Sequence, residues 1–458
     1  MSLRTQAFTR HYFVLPMLIR RHKSAFFVAT LMFGLSVQVG LATANPVQRG
    51  GHSSLPSVAP LGEENTPAAA KYRSGLGEQL KGNLLAAKQQ FKAALALNEN
   101  YVPALIAMAG LSLVEGLRVE AEQFLKRAET LEPASASVHL AWGRLHQSLG
   151  RTVPAEASYK RARDILPTAT APLISLGEFY LQQPGRHMEA LRTFQKACEL
   201  EPNNRFAQYF RGVAAAASGQ REEAVSALER AAQLAPKDTA ALRALGRLHM
   251  EALAFEKALS AFDAGLARQP KFVPLMLDRS DALARLGRWD AALAQLGKAE
   301  PLAPAAVEIA LKQADVLQGA KRWKEALRQY EKVLATAPKL AIAHNNMAWA
   351  LLSSGGQDKP AVESAKKAVG LSPKSAPFVD TLGWAERAAG DLNGARTSLK
   401  RALELDSKVA VFHYHYGVVM SELKDDKAAA ASFKTALKLD PQFEDANDTL
   451  RRLKLLGA

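Results

Sequence analysis

Cysteine is almost missing. Cys198 stands alone in 458 residues, so no intramolecular disulfide and no cysteine-based metal cluster can form. Aromatic residues are scarce, at 7%. The catalytic signatures are missing too. There is no H-E-x-x-H, no G-x-S-x-G, no phosphate loop and no D-x-D-x-D-G calcium loop. Gly75-Leu76-Gly77 opens like a dinucleotide fingerprint, but the next glycine, Gly82, is too far away and no strand precedes it. We therefore expect no catalytic residue, no cofactor and no metal. Long basic runs are lacking as well. Lys366-Lys367 and Arg451-Arg452 are the strongest, and acids surround them, so no nucleic-acid partner is expected.

What remains is 48% hydrophobic and 22% charged. That is neither a disordered chain nor one built of many membrane spans. The length would ordinarily make about two to four domains.

The net charge of +15 is inflated at one end. Residues 1–44 hold Arg4, Arg10, Arg20, Arg21 and Lys23 and no acid. Without them 54 bases face 44 acids, leaving +10, which is moderate for a chain this long. Arg20-Arg21-His22-Lys23 precedes an apolar run from Ala25 to Val39, and Ala42-Thr43-Ala44 supplies small residues. This is the order of a secretory signal peptide cleaved after Ala44. Met17 offers an alternative start that shortens the signal. A second reading keeps residues 24–44 as an uncleaved anchor, with the repeats outside the membrane. The expected location is therefore periplasmic or secreted, or anchored to the inner membrane and facing the periplasm. Membrane contact is expected only if the segment stays attached. Residues 45–67 carry Pro46, Pro56, Pro60 and Pro67 with Gly50, Gly51 and Gly62 and no apolar period, which reads as a disordered linker.

From there a fixed beat takes over. Prolines stand at 133, 167, 202, 236, 270, 304, 338, 373 and 441, and Glu99 and Ser407 fill the two missing places. The ten intervals are eight of 34 and two of 35. An alanine recurs at 87, 121, 155, 190, 224, 258, 292, 326, 361, 395 and 429. Twelve residues before it, or thirteen in the two long intervals, is a small residue such as Gly75, Gly143 or Gly417. Four residues after it is a bulky one such as Phe91, Tyr159 or Phe433, with Ala365 the one departure. The pattern predicts two helices per repeat. The small residue and the alanine let the two backbones approach, the bulky residue fills the space between repeats, and the proline ends each second helix. The extra residue of each 35-residue interval is expected in the turn inside the repeat, near Gln183-Pro184-Gly185 and Ser354-Gly355-Gly356.

The motif resembles the tetratricopeptide repeat (TPR) family. Leu242-x2-Leu245-Gly246-x2-His249, Ala258-x3-Phe262 and Pro270 carry the resemblance. It implies an all-α superhelical solenoid of about eleven helix-turn-helix repeats over residues 68–441, closed by a capping helix within 442–458. It also implies a protein-binding role, with positions 5 and 9 of each first helix lining a concave groove. Those positions are Arg243, Arg247 and Asp281 in the middle, and Asn345, Trp349, Asp380, Trp384 and Tyr414 near the end. The alternative for the Trp pair is packing between neighbouring first helices. His413 and His415 are two apart, so they cannot share a helix face. They read as structural or rim histidines, like His139 and His344.

A narrower resemblance covers about 80 residues. Asn345-Asn346-Met347-Ala348-Trp349, Asp380-Thr381-Leu382-Gly383-Trp384 and Tyr414-His415-Tyr416-Gly417 are similar to bacterial envelope TPR proteins of exosortase (PEP-CTERM) and exopolysaccharide systems. It implies a non-catalytic scaffold in polysaccharide or protein export, with protein partners in the groove. A superhelix escorting a polysaccharide, and an inner-membrane-anchored assembly factor, are the alternatives.

Overall fold

In the computed structural model, residues 66–457 are described. The signal and anchor readings, and all of the linker but Thr66 and Pro67, lie outside them. The chain divides into two compact units at residue 248. The first unit begins with α1 (Pro67–Leu80), α2 (Leu84–Leu97), α3 (Val102–Val114), α4 (Arg118–Leu131), α5 (Ala136–Ser148) and α6 (Thr152–Ile165). It continues with α7 (Thr170–Leu181), α8 (His187–Leu200), α9 (Arg205–Ala217), α10 (Arg221–Leu234) and most of α11 (Ala240–Glu251). The second begins with α12 (Phe255–Arg268), α13 (Val273–Arg285), α14 (Trp289–Ala299), α15 (Val307–Gly319), α16 (Trp323–Thr336) and α17 (Ala341–Ser354). It ends with α18 (Asp358–Leu371), α19 (Ala376–Ala388), α20 (Leu392–Leu405), α21 (Ala410–Glu422), α22 (Asp426–Leu439) and α23 (Ala446–Leu455). Among the described residues there is no strand. Each unit is an all-α solenoid of stacked hairpins, odd-numbered helices first and even-numbered second. Among the described residues no helix is long and apolar enough to cross a membrane.

The core follows the sequence beat with one change of meaning. The small residue faces the bulky residue of its own repeat. A Cβ on Gly75 would lie 2.5 Å from the Phe91 ring, and on Gly143 2.6 Å from the Tyr159 ring. On Gly383 it would lie 2.6 Å from Leu399 Cγ. The alanine is a secondary neighbour, its carbonyl oxygen 3.2 Å away in the Gly212–Ala224 case. The bulky residue therefore covers the glycine of its own hairpin and also fills the space to the next repeat as expected, with the Phe194 and Phe210 rings 5.5 Å apart; its burial is worth roughly 1.5–3 kcal/mol. At the departure, Ala365 stands opposite Ala348, and both are fully buried in a cluster with Trp349, Phe378 and Trp384.

The two long intervals are absorbed differently. The α7–α8 turn holds residues 182–186 where other repeats have three, as expected. The later extra residue instead lengthens α17 to 14 residues, and its turn keeps three. Gly355 and Gly356, at φ 78° and 73°, then reverse the chain. Pro301 cuts α14 to 11 residues and turns Glu300–Leu302 into a 3-10 segment, since proline clashes with the preceding helical turn.

Three histidines share one structural job. His139, His344 and His413 each place Nε2 2.9–3.0 Å from the carbonyl oxygen six residues back, on Pro133, Pro338 and Ser407. Gln208 does the same to Pro202. Each ties the start of a first helix to the turn before it. Cys198 is buried, and burial pushes its thiol above the ordinary range. At the end, Phe443, Ala446 and Leu453 bury the inner side of α23 against the last repeat.

Candidate protein-binding walls

In each unit, successive first helices touch directly: α3–α5, α5–α7 and α7–α9 in the first, and α13–α15 through α19–α21 in the second. Within each unit the first helices thus form a wall. The residue just after the small residue of each repeat, and the one four before it, fall on that wall.

In the first unit the wall carries charge. Arg144 on α5 and Glu178 on α7 are half-buried. Burial pushes the Glu178 carboxyl up to about 7, and the Arg144 guanidinium holds it back. Further on, burial raises the Tyr209 hydroxyl of α9 to about 12, while Arg243 and Arg247 of α11 pull it down. Those two arginines are half-buried and close enough to Tyr209 for their charge to act on it. Arg186 lies 4.2 Å over the Tyr180 ring and binds Glu156 at 2.6 and 3.1 Å. Its hydrogen bonds hold the Glu156 carboxyl at about 2.

In the second unit, Asp281 of α13 accepts from Lys312 Nζ of α15 at 2.8 and 2.7 Å. The Asp281 side chain is 41% exposed and that of Lys312 23%, so the pair is open to a ligand. The surrounding protein still displaces enough water to push the Asp281 carboxyl up against Lys312. Burial disfavours the Lys312 charge, and Asp281 more than offsets it. Beside them Asp315 accepts from Tyr330 Oη at 2.6 Å and from Asn346 Nδ2 at 2.9 Å.

The last three repeats pack a buried aromatic cluster. His415 Nδ1 of α21 lies 2.8 Å from Asp380 Oδ2 of α19. The imidazole stacks on Trp384 with centroids 4.1 Å apart at 23°, and Trp349 is 6.3 Å away. Tyr414 Oη donates to Asp448 Oδ2 at 2.8 Å, tying α23 to the wall. His415 Nε2 and Asn345 Oδ1 are buried without a hydrogen-bond partner.

The structure therefore gathers Trp349, Asp380, Trp384 and Tyr414 into one cluster and sets Asn345 one helical turn before Trp349. All five are buried, from 3% exposed at Asp380 to 8% at Trp384. The Trp pair packs between neighbouring first helices, the alternative weighed above. Asp281, Arg243 and Arg247 remain accessible, the arginines in the first unit and Asp281 in the second. Sequence reasoning missed Arg144, Glu178 and Lys312, and it read His415 as a structural or rim histidine without its partner Asp380. The first two follow Gly143 and Gly177, so the same register marks them. His415 stands one 34-residue repeat and one position after Asp380, just beyond Tyr414, which holds Asp380's own place.

Family models identify the repeats. Two family models, each described as tetratricopeptide repeat, match the chain: one over residues 215–271, the other over 180–239, 311–376 and 381–442. The chain carries tetratricopeptide repeats, and repeats of this kind form protein-interaction scaffolds. No curated protein matches it. Among solved structures, yeast Tom70 is 13% identical at TM-score 0.49, covering 85% of this chain and 95% of that one. A tetratricopeptide repeat protein from Parabacteroides merdae is 18% identical at TM-score 0.48, covering 55% and 98%. MamA from Desulfovibrio magneticus is 24% identical at TM-score 0.33, covering 37% and 95%.

Proposed function

We infer that this chain is an exported, non-catalytic scaffold whose first-helix walls hold protein segments in the bacterial envelope. The observation that carries the binding reading is the Asp281–Lys312 pair. It is a desolvated yet accessible ion pair on the wall of the second unit, able to exchange its internal partner for a charged or polar group of a ligand. Arg243 and Arg247, half-buried beside Tyr209, offer positive charge on the wall of the first unit. Asn345, Trp349, Asp380, Trp384 and Tyr414 form the packed floor that fixes the spacing of the last first helices. The export reading is supported by the basic, apolar and small residues of 20–44. The envelope reading is supported by the resemblance over residues 345–417, which also suggests polysaccharide or protein export.

The test is crosslinked affinity capture from the native host, with intact mass of the bait. Wild type is run beside Asp281→Lys and Arg243→Glu/Arg247→Glu, with circular dichroism as the folding control. The scaffold reading requires a few envelope proteins that one of the variants loses while helicity stays unchanged. Capture indifferent to both variants removes the walls as the site. Co-purified polysaccharide with no specific protein replaces the reading by a glycan escort. A mass retaining residues 1–44 makes the chain an anchored assembly factor.

A further inference from the structure

One surface of the first unit is left over by the binding walls. Two residues before each repeat alanine, at the start of each second helix, the chain has Leu85, Val119, Val153 and Met188 in its first four repeats. They are 75%, 72%, 79% and 39% exposed. From the fifth repeat on the same place holds Glu222, Glu256 and Asp290, then Lys324, Lys359, Asn393 and Lys427. The last residues of α1 and α3, Leu80 and Val114, add to the row at 80% and 70% exposed. Position by position, an exposed aliphatic edge gives way to a polar one.

Ion pairs stitch each hairpin turn to the next along this edge: Lys88–Glu115 at 2.5 Å, Arg151–Glu122 at 2.8 Å and Arg186–Glu156 at 2.6 Å. Its charges are thus largely matched within the row. Its one aromatic neighbour, Tyr180 beneath Arg186, is buried. Bilayer-inserting edges join Trp or Phe to unmatched Lys and Arg, and this edge has neither signature. An aliphatic strip flanked by self-matched charge is instead half of a homodimer interface, the most apolar class of protein contact. A two-fold axis places the same patch of both copies against each other, and a linear row can pack antiparallel on its own copy in that way.

We propose that the hairpin-turn edge of repeats one to four is a self-association surface, on which a second copy of this chain packs its own row. The row lies on second helices and hairpin turns, not on the first-helix wall of that unit, so a dimer leaves the first unit's wall free for partners.

Sedimentation velocity of the full chain over a hundredfold range of concentration tests this. Wild type should shift from monomer to dimer. Val119→Glu/Val153→Glu, at two highly exposed places, should keep its helicity and weaken the dimer at least tenfold. Lys324→Glu/Lys359→Glu, in the same register of later repeats, should dimerise as wild type does. A wild type that stays monomeric overturns the proposal, as does a dimer indifferent to Val119 and Val153. Leu31→Arg/Phe33→Arg in the N-terminal apolar run is a further control. If that variant alone loses association, the run joins the copies and the edge does not. Flotation with neutral phosphatidylcholine vesicles, lost in Val119→Glu/Val153→Glu while wild type is monomeric, assigns the edge to a bilayer and overturns the dimer.

Discussion

Gly417 of α21 and Phe433 of α22 meet face to face: a Cβ on the glycine would stand 2.6 Å from the ring's Cε1. The ring is fully buried, so it has nowhere to withdraw. Gly417→Ala should therefore lose about 1–3 kcal/mol through overpacking, although alanine is the better helix former by about 1 kcal/mol. Gly110, Gly297 and Gly370 also sit inside helices but have nothing within 4 Å of a Cβ. Their alanine variants should gain up to about 1 kcal/mol. Chemical denaturation of the four variants should separate them by sign.

The Asp380–His415 pair should behave as a unit. Removing one partner, as in His415→Leu, leaves a buried polar group uncompensated and should cost about 3–5 kcal/mol. Asp380→Leu/His415→Leu should cost clearly less than the sum of the two single variants. Hydrogen exchange read on α19 and α21 is the measurement, because an array opens locally and a single unfolding midpoint would blur the effect. Additive losses would mean that the two groups are not coupled.

Two carboxyls give pH dependences of opposite sign. Glu178 titrates at about 7 when folded, against an ordinary 4.5. Between those values the folded chain holds a proton that the unfolded chain has released, so stability falls as pH rises through that window. Glu156 is held at about 2. Its contribution is present above pH 4.5 and is lost as pH falls towards 2. Glu178→Gln should remove the slope between pH 4.5 and 7 alone. Arg186→Ala should flatten the acidic limb alone. Thermal midpoints across pH 3 to 8 would show both.

The second residue of most three-residue turns inside the repeats is glycine with positive φ, such as Gly82, Gly150 and Gly390 at 82°, 69° and 86°. Lys321 and Lys424 hold the same place at 60° and 67°, where a Cβ costs roughly 1–2 kcal/mol. Lys321→Gly and Lys424→Gly should each stabilise their hairpin by about 1 kcal/mol, once the extra chain entropy of glycine is charged against the relief. Slower exchange in α16 and α22 is the expected result.

Damage should stay local. Leu453 is buried at the closing helix, and Leu453→Asp should cost roughly 2–4 kcal/mol there. Exchange should quicken in α21 to α23 and stay unchanged in α5. A uniform change along the chain would show cooperativity far beyond neighbours.

The repeat count was legible because alanine, bulky residue and proline answer to one local geometry, and that geometry recurs every 34 residues. The partner of the small residue was misread. Sequence spacing brings Gly143 near Ala155 and Tyr159 alike, and only the tilt of the two helices puts the ring against the glycine. The second long interval also went astray. Ser354 before two glycines reads as turn, yet one more helical residue fits at the end of α17. Positions 5 and 9 found the wall but not its depth. Whether Trp384 is open or covered depends on His415, one repeat later, and burial by a neighbouring hairpin is not a property of the covered residue's own sequence. Asp281 was found by the same rule and stays accessible because Lys312, not a ring, holds His415's place in the next repeat.

The five residues between α7 and α8 bear on how such a chain can change in length. Every hairpin restarts its own register at its turn, so an error of one residue there is forgotten by the next proline. Spare residues at Gln183-Pro184-Gly185 shift no ring off its glycine and no carboxylate off its partner. A tag threaded into that turn should leave the neighbouring helices in phase, whereas the same tag inside α8 would put Phe194 out of step with Gly177. The array tolerates new text between its words and none within them.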